Sequence, residues 1–172
     1  MVQAIIRKID AVTEVIGKAT MGLAFLLVVL VMADVAMRYV FSISFASVRE
    51  LEWHIYSLLF LFGGAYTLRH DGHVRVDVAY QHFSPRMRAL VNVVGCLIFL
   101  FPGCYLVIRT SAMFTKFSWM MAEQSPDPGG LPFRWFLKGC LPVAFGLLAL
   151  QGVSFFLKNL LVLLGKAEAE EA

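Results

Sequence analysis

The sequence predicts an all-α integral membrane protein: four transmembrane helices in a bundle, with short interfacial helices, forming a single membrane domain over residues 1–172. Two observations carry this. The chain is 59% hydrophobic and only 16% charged, where soluble domains hold about a quarter charged residues. The apolar residues also fall in long blocks, with charged and aromatic residues gathered at the block ends, as in spans whose ends meet water. The clearest block opens on Arg49, Glu50, Glu52, Trp53 and His54, runs uncharged from Ile55 to Leu68, and leaves through a charged, histidine-containing tail from Arg69 to Asp77.

The elements follow in order. Ile5, Ile9, Val12 and Ile16 recur at helical spacing, which predicts an interfacial helix over residues 9–18 leading into the first span. Asp10, Glu14 and Lys18 interrupt it, so it does not read as a secretory signal. Span one covers about 18–39. Its charge-free centre, Ala19 to Ala33, reaches about 22 Å as a helix against roughly 30 Å of hydrocarbon, so Lys18, Asp34 or both must be carried at its ends. Arg38 lies one turn after Asp34, at ion-pair spacing. Two readings stay open for that pair: a polar contact to a partner helix, or a self-neutralised pair at the headgroups.

Span two covers about 50–68. Glu50, Trp53, His54 and Ser57 share one face. Gly63-Gly64-Ala65 removes bulk and lets another helix approach, from this chain or a partner. His70, Asp71, His73, Asp77 and His82 in the next connection have no accepted metal-ligand spacing, and no metal is expected there. Ser84-Pro85 marks the start of span three, about 89–108, with a kink expected at Pro102-Gly103. The loop from Arg109 to Arg134 divides into an aromatic first half, read as an interfacial helix or contact surface, and a Pro/Gly-dense second half that should hold one shape. Span four covers about 137–158 and is expected to continue to Leu164, before a short acidic tail.

Four spans put both termini on one side. That side collects nine Lys and Arg residues against six on the other, which predicts cytoplasmic termini. The net charge of +3 comes without a basic run carrying interleaved aromatics, so no nucleic acid is expected. Cys96, Cys104 and Cys140 all sit inside apolar blocks and read as packing residues. No catalytic, cofactor-binding or metal-ligating constellation is recognised, and the chain does not read as an enzyme.

Several motifs resemble one family. They are Arg38-Tyr39, E-L-E-W-H at Glu50 to His54, G-G-A-Y at Gly63 to Tyr66, H-V-R-V-D at His73 to Asp77, and P-G-G-L-P-x-R-W at Pro128 to Trp135. Together they resemble the small, DctQ-like membrane subunit of tripartite ATP-independent periplasmic (TRAP) transporters. The resemblance implies a non-catalytic scaffold in the bacterial inner membrane. It implies a large elevator-type partner carrying substrate and sodium sites, and a periplasmic binding protein that delivers an organic acid anion. On that basis Arg38, Glu50, Glu52, Trp53, Gly63 and Gly64 are candidates for contact with the large subunit. Trp119, Asp127 and Arg134 are candidates for docking the binding protein. Arg75, Arg86, Arg88 and Trp135 are candidate anchors to membrane lipids. Two rivals remain: a self-assembling small exporter, and a four-helix membrane cytochrome, for which His54 is the only histidine near a span.

Overall fold

The structure, a computed structural model, describes residues 2–70, 72 and 82–166. The H-V-R-V-D motif, Asp71, Arg75 and the acidic tail therefore lie outside the described residues. Those described form α1 (Val2–Val40), α2 (Ala46–Arg69), α3 (Pro85–Gly95), a π-helical turn (Cys96–Leu100), α4 (Phe101–Met120) and α5 (Arg134–Leu163). α1 and α2 pack as an antiparallel pair, and α5 touches every other helix.

The helix ends have local causes. α1 runs without a break through its polar first third and the first span, so the expected interfacial helix is continuous with it. It stops where Ser42 takes a left-handed conformation (φ 57°), and the Ile43 amide closes the turn on the Met37 carbonyl at 3.1 Å. Ser84 caps α3 by accepting from the Met87 amide at 3.4 Å, with Pro85 in the first turn. α4 ends in a Schellman motif. Glu123 N–H donates to Ser118 C=O and Ala122 N–H to Trp119 C=O, both at 3.0 Å, with Ala122 rather than glycine in the left-handed position.

Two expectations are corrected. The kink expected at Pro102-Gly103 is taken up upstream. A proline cannot donate to the carbonyl four residues back, and its ring crowds that carbonyl. Here the residues ahead of Pro102 widen into the π turn and the helix continues. The turn sets Leu100 against α5, where a Cβ on Gly152 would meet its Cδ2 at 2.6 Å. The second correction concerns the loop from Arg109 to Arg134. Its aromatic first half is the continuation of α4, which packs along α5, so the connection shrinks to residues 121–133. Low charge and several aromatics look alike whether a segment lies at an interface or along a neighbouring helix.

Among the described residues three helices are long and apolar enough to cross a membrane, where four spans are expected: α1, the unit Pro85–Met120, and α5. α2 is not among them, because its charged first turns and its Tyr, Ser and Thr residues dilute its apolar run. The interior holds polar side chains beside apolar ones such as Ile55, Leu68 and Phe155. Among the described residues the largest fully buried side chains are Gln151, Thr13, Asp34 and Ser154, while Phe25, Phe60 and Phe99 are 73%, 71% and 75% exposed. Polar groups turn inward and rings outward when the surrounding medium is hydrocarbon.

The α1–α2 seam yields a test. A Cβ on Gly17 would come within 1.9 Å of the Tyr66 ring, whereas one on Gly22 meets nothing within 4 Å. Gly17→Ala is expected to cost about 1–3 kcal/mol by overpacking. Gly22→Ala should be neutral or stabilising, since alanine is the better helix former by roughly 1 kcal/mol. Thermal melts in detergent compare them; equal melting of the two variants would contradict this seam.

Candidate functional site

The chemistry gathers at two ends of the bundle. At the end carrying the 121–133 connection, Glu50 is 4% exposed although it opens a helix. One carboxylate oxygen accepts from the Ser125 hydroxyl and from Arg134 Nη2 at 3.3 Å. The other accepts from the Leu131 amide at 2.5 Å. The Pro/Gly segment is thus wrapped around the carboxylate. It can close this far because Gly130 has no side chain: a Cβ there would lie 2.3 Å from Ser125 Oγ and 2.8 Å from Glu50 Oε2. The Asp127 amide bonds to Ser125 Oγ at 3.1 Å, and the Gly130 amide to the Asp127 carbonyl at 3.0 Å.

A second strut stands beside the first. Lys138 donates to the Glu123 carboxylate and sits 4.0 Å from the Phe114 ring centroid. That bond holds the Glu123 carboxyl below the usual carboxylate range. Trp119 and Trp135 meet edge-on with centroids 4.3 Å apart, and Arg134 lies over the Trp53 ring at 5.9 Å. Trp119 and Phe133 are left 60% and 64% exposed, beside the exposed Asp127. The arrangement fixes the shape of a connection and gives it an aromatic outer rim.

The other candidates are placed as follows. Asp34 and Arg38 are ion-paired, and Asp34 is 1% exposed. Asp34 Oδ1 and Glu52 Oε1 are buried with no hydrogen-bond partner among the described residues. Trp53 is partly exposed. A Cβ on Gly63 or Gly64 would meet nothing within 4 Å, so no helix among the described residues uses the room they leave. Arg86 and Arg88 begin α3 at the opposite end, where Arg88 Nε donates to the Phe83 carbonyl at 3.1 Å.

That opposite end holds a polar cluster that sequence reading missed. Asp10 accepts from Gln151 Nε2 at 3.0 Å and Ser154 Oγ at 2.6 Å, and pairs with Lys158 at 3.1 Å. Thr13 donates to Gln151 Oε1 at 2.7 Å. Glu14 pairs with Arg69 and, at 3.2 Å, with Lys18. Asn92 donates to Asn159 Oδ1 at 2.8 Å. The available signal was Gln151, Ser154 and Asn159 interrupting the apolar run of span four.

Two outcomes follow for the Glu50 end. Glu50→Gln weakens the acceptor shared by Ser125, Leu131 and Arg134, so the Leu131 amide should exchange about tenfold faster; unchanged protection would sink this account. For Glu123 the folded pKa is lowered, so its contribution is complete above the unfolded-chain value and is lost as pH falls through the folded one. Acidification below the ordinary glutamate range should therefore loosen the connection, read by fluorescence of the Trp119–Trp135 pair. Lys138→Gln should flatten that acid limb, and an identical limb in both proteins would refute the pairing.

Comparison with known proteins bears on this geometry. No curated protein matches the chain significantly. A family profile matches residues 27–161, described as the DctQ component of tripartite ATP-independent periplasmic transporters. The match takes in α2, both struts around Glu50 and most of α5. Members are inner-membrane proteins that work with a large membrane component and a periplasmic component of the same transporter. The chain belongs to the DctQ family and is the small permease component of a TRAP transporter.

Proposed function

We propose that this subunit is a non-catalytic brace in a sodium-coupled TRAP transporter for organic acid anions. It widens the static frame of the large elevator-type subunit and helps receive the periplasmic binding protein. The observation that carries the reading is that the chain ties itself shut at both ends. Glu50 joins α2 to the connection and to α5. Asp10 joins α1 to α5. A frame past which another domain slides must not deform, and polar bonds at both ends resist shear between the helices.

In this reading α2 is the fourth span. Glu50 and Arg69 stand about 28 Å apart along the helix, close to the roughly 30 Å of hydrocarbon. They bond to Arg134 and Glu14, at opposite ends of the bundle. The termini face the cytoplasm, and the 121–133 connection faces the periplasm with Trp119, Asp127 and Arg134 on or under its rim. Arg38, Glu52, Trp53, Gly63 and Gly64 meet the large subunit, while Glu50 serves that contact through the loop it holds. Arg86, Arg88 and Trp135 anchor the unit at the two interfaces.

Gly64 offers the sharpest check, because nothing among the described residues fills its side. Gly64→Leu should leave the isolated subunit as stable as wild type yet weaken co-purification of the large component about tenfold, the effect of a badly packed helix contact. Cells lacking the subunit should lose uptake of the transported acid. Normal uptake without it, or undiminished co-purification of Gly64→Leu together with Glu52→Lys, would reject the brace.

A further inference from the structure

α4 carries an arginine at a depth where no acid of its own bundle answers it. The register of α4 on α5 is fixed at three points. Trp119 meets Trp135, a Cβ on Gly139 would touch Thr115 Cγ2 at 3.5 Å, and Leu100 packs on Gly152. Arg109 therefore stands about 15 Å along the helix from Trp119 and about 13 Å from Leu100. Trp135 follows Arg134, which bonds Glu50 at one end of the bundle. Gly152 follows Gln151, which bonds Thr13 at the other. Sequence alone sets Arg109 just past span three; this register sets it midway between the two polar ends.

Arg109 also faces outward. Cys104, Ser111 and Ser118 are the buried positions of α4, and they mark the side that packs on α5. Arg109 lies two residues from Ser111, about 160° round the helix, and it is exposed. Tyr105 and Met113, one turn to either side, share its stripe and are exposed as well. Among the described residues the one hydrogen bond of the guanidinium runs from Nη1 to the Tyr105 hydroxyl at 3.2 Å. No Asp or Glu occurs anywhere from Pro85 to Ala122. A guanidinium left in hydrocarbon without an anion is costly, so such groups meet a partner inside an assembly.

Charge and depth select the occupant of this face. Lipid tails offer no acceptor, and a snorkelling arginine reaches roughly 7 Å, about half the way to either headgroup level. A second copy using the same face would set Arg109 against Arg109. A second copy using any other described face brings no acid to this depth. Asp10 and Glu14 lie at one end of the bundle, and Glu50, Glu52 and Glu123 at the other. Asp34 is level with the second group, about 25 Å along α1 from the contact of Gly17 with Tyr66. A different membrane polypeptide fits, and the large component is the membrane protein with which this family works.

We propose that the outward face of α4 packs on a transmembrane helix of the large component, and that this helix sets a carboxylate against Arg109. An ion pair in hydrocarbon cannot slip by a turn without stranding both charges, so it holds the two helices at one height. That is what a brace against a moving domain requires. The inference rests on the brace reading with α2 as a span, and it adds a contact to those assigned to α1 and α2.

The test uses the two membrane components expressed together. A benzoylphenylalanine photocrosslinker at Met113, one turn from Arg109, should join this chain to the large component in intact membranes. The captured helix should carry an Asp or Glu. Arg109→Met should leave the melting temperature of the isolated subunit in detergent unchanged or raised, yet cut co-purification of the large component at least fivefold. Changing the captured acid to its amide should cause the same loss, and combining it with Arg109→Met should add little further. Adducts of Met113 with lipid alone or with a second copy overturn the proposal. So does a captured helix without an acid, or undiminished co-purification of Arg109→Met. Failure of the brace itself shows differently, as normal uptake in cells lacking the subunit.

Discussion

Hydrocarbon cannot hydrogen-bond, and that constraint decides where each polar group of this chain goes. Gln151, Thr13, Ser154 and Asp34 are the most deeply buried large side chains, while the phenylalanines of three segments face outward. In water the same arrangement would expose the apolar surface and hide what water solvates best. The folded chain makes sense only in a medium where an unpaired polar group costs more than an exposed ring. Gln151 and Ser154 accordingly meet Asp10, and Thr13 meets Gln151, at one end of α5, while Glu50 meets Ser125, Leu131 and Arg134 at the other.

The distance between those clusters matters as much as their content. Arg134 and Gln151 stand about 25 Å apart along α5, and the stretch between them is apolar apart from Lys138 near its start. α2 matches that length, with Glu50 bonded at one end of the bundle and Arg69 at the other. The long helix with the weakest hydropathy is thus tied through polar residues at both of its ends. A hydropathy average counts Glu50 as a penalty, although three donors of this same chain satisfy it.

This also explains what was legible beforehand. Spans one, three and four announced themselves through uncharged blocks, because length against bilayer thickness is a one-dimensional property. The Ser84-Pro85 start and the Asp34–Arg38 pair were legible because their geometry is local. Glu50 could be seen as a carboxylate at a helix end, but its partners Ser125, Leu131 and Arg134 lie far along the chain, and only folding brings them to it. Asp10 looked like an interruption in a mixed segment for the same reason: its partners are Gln151, Ser154 and Lys158. The end of α4 was misplaced because its aromatic face is held helical by α5, a contact no local pattern reports.

The left-handed residues add a last step. Ser42, Ala122 and Phe133 take positive φ without being glycine, and all three border the two connections at the Glu50 end of the bundle. Each such residue costs of order 1–3 kcal/mol and persists only where its surroundings leave it no alternative. Here the surroundings are specific: the Arg134 amide bonds to the Glu123 carbonyl next to Phe133, the Schellman bonds fix Ala122, and Glu50 holds the segment between them. A connection that tolerates this strain is set in one shape before anything touches it. For the proposed docking of a binding protein that is an advantage, since a rim already ordered loses less conformational entropy on contact than a loose loop would. The strain and the clasp belong together: backbone bonds hold the two left-handed residues, and the Glu50 carboxylate holds the segment that joins them.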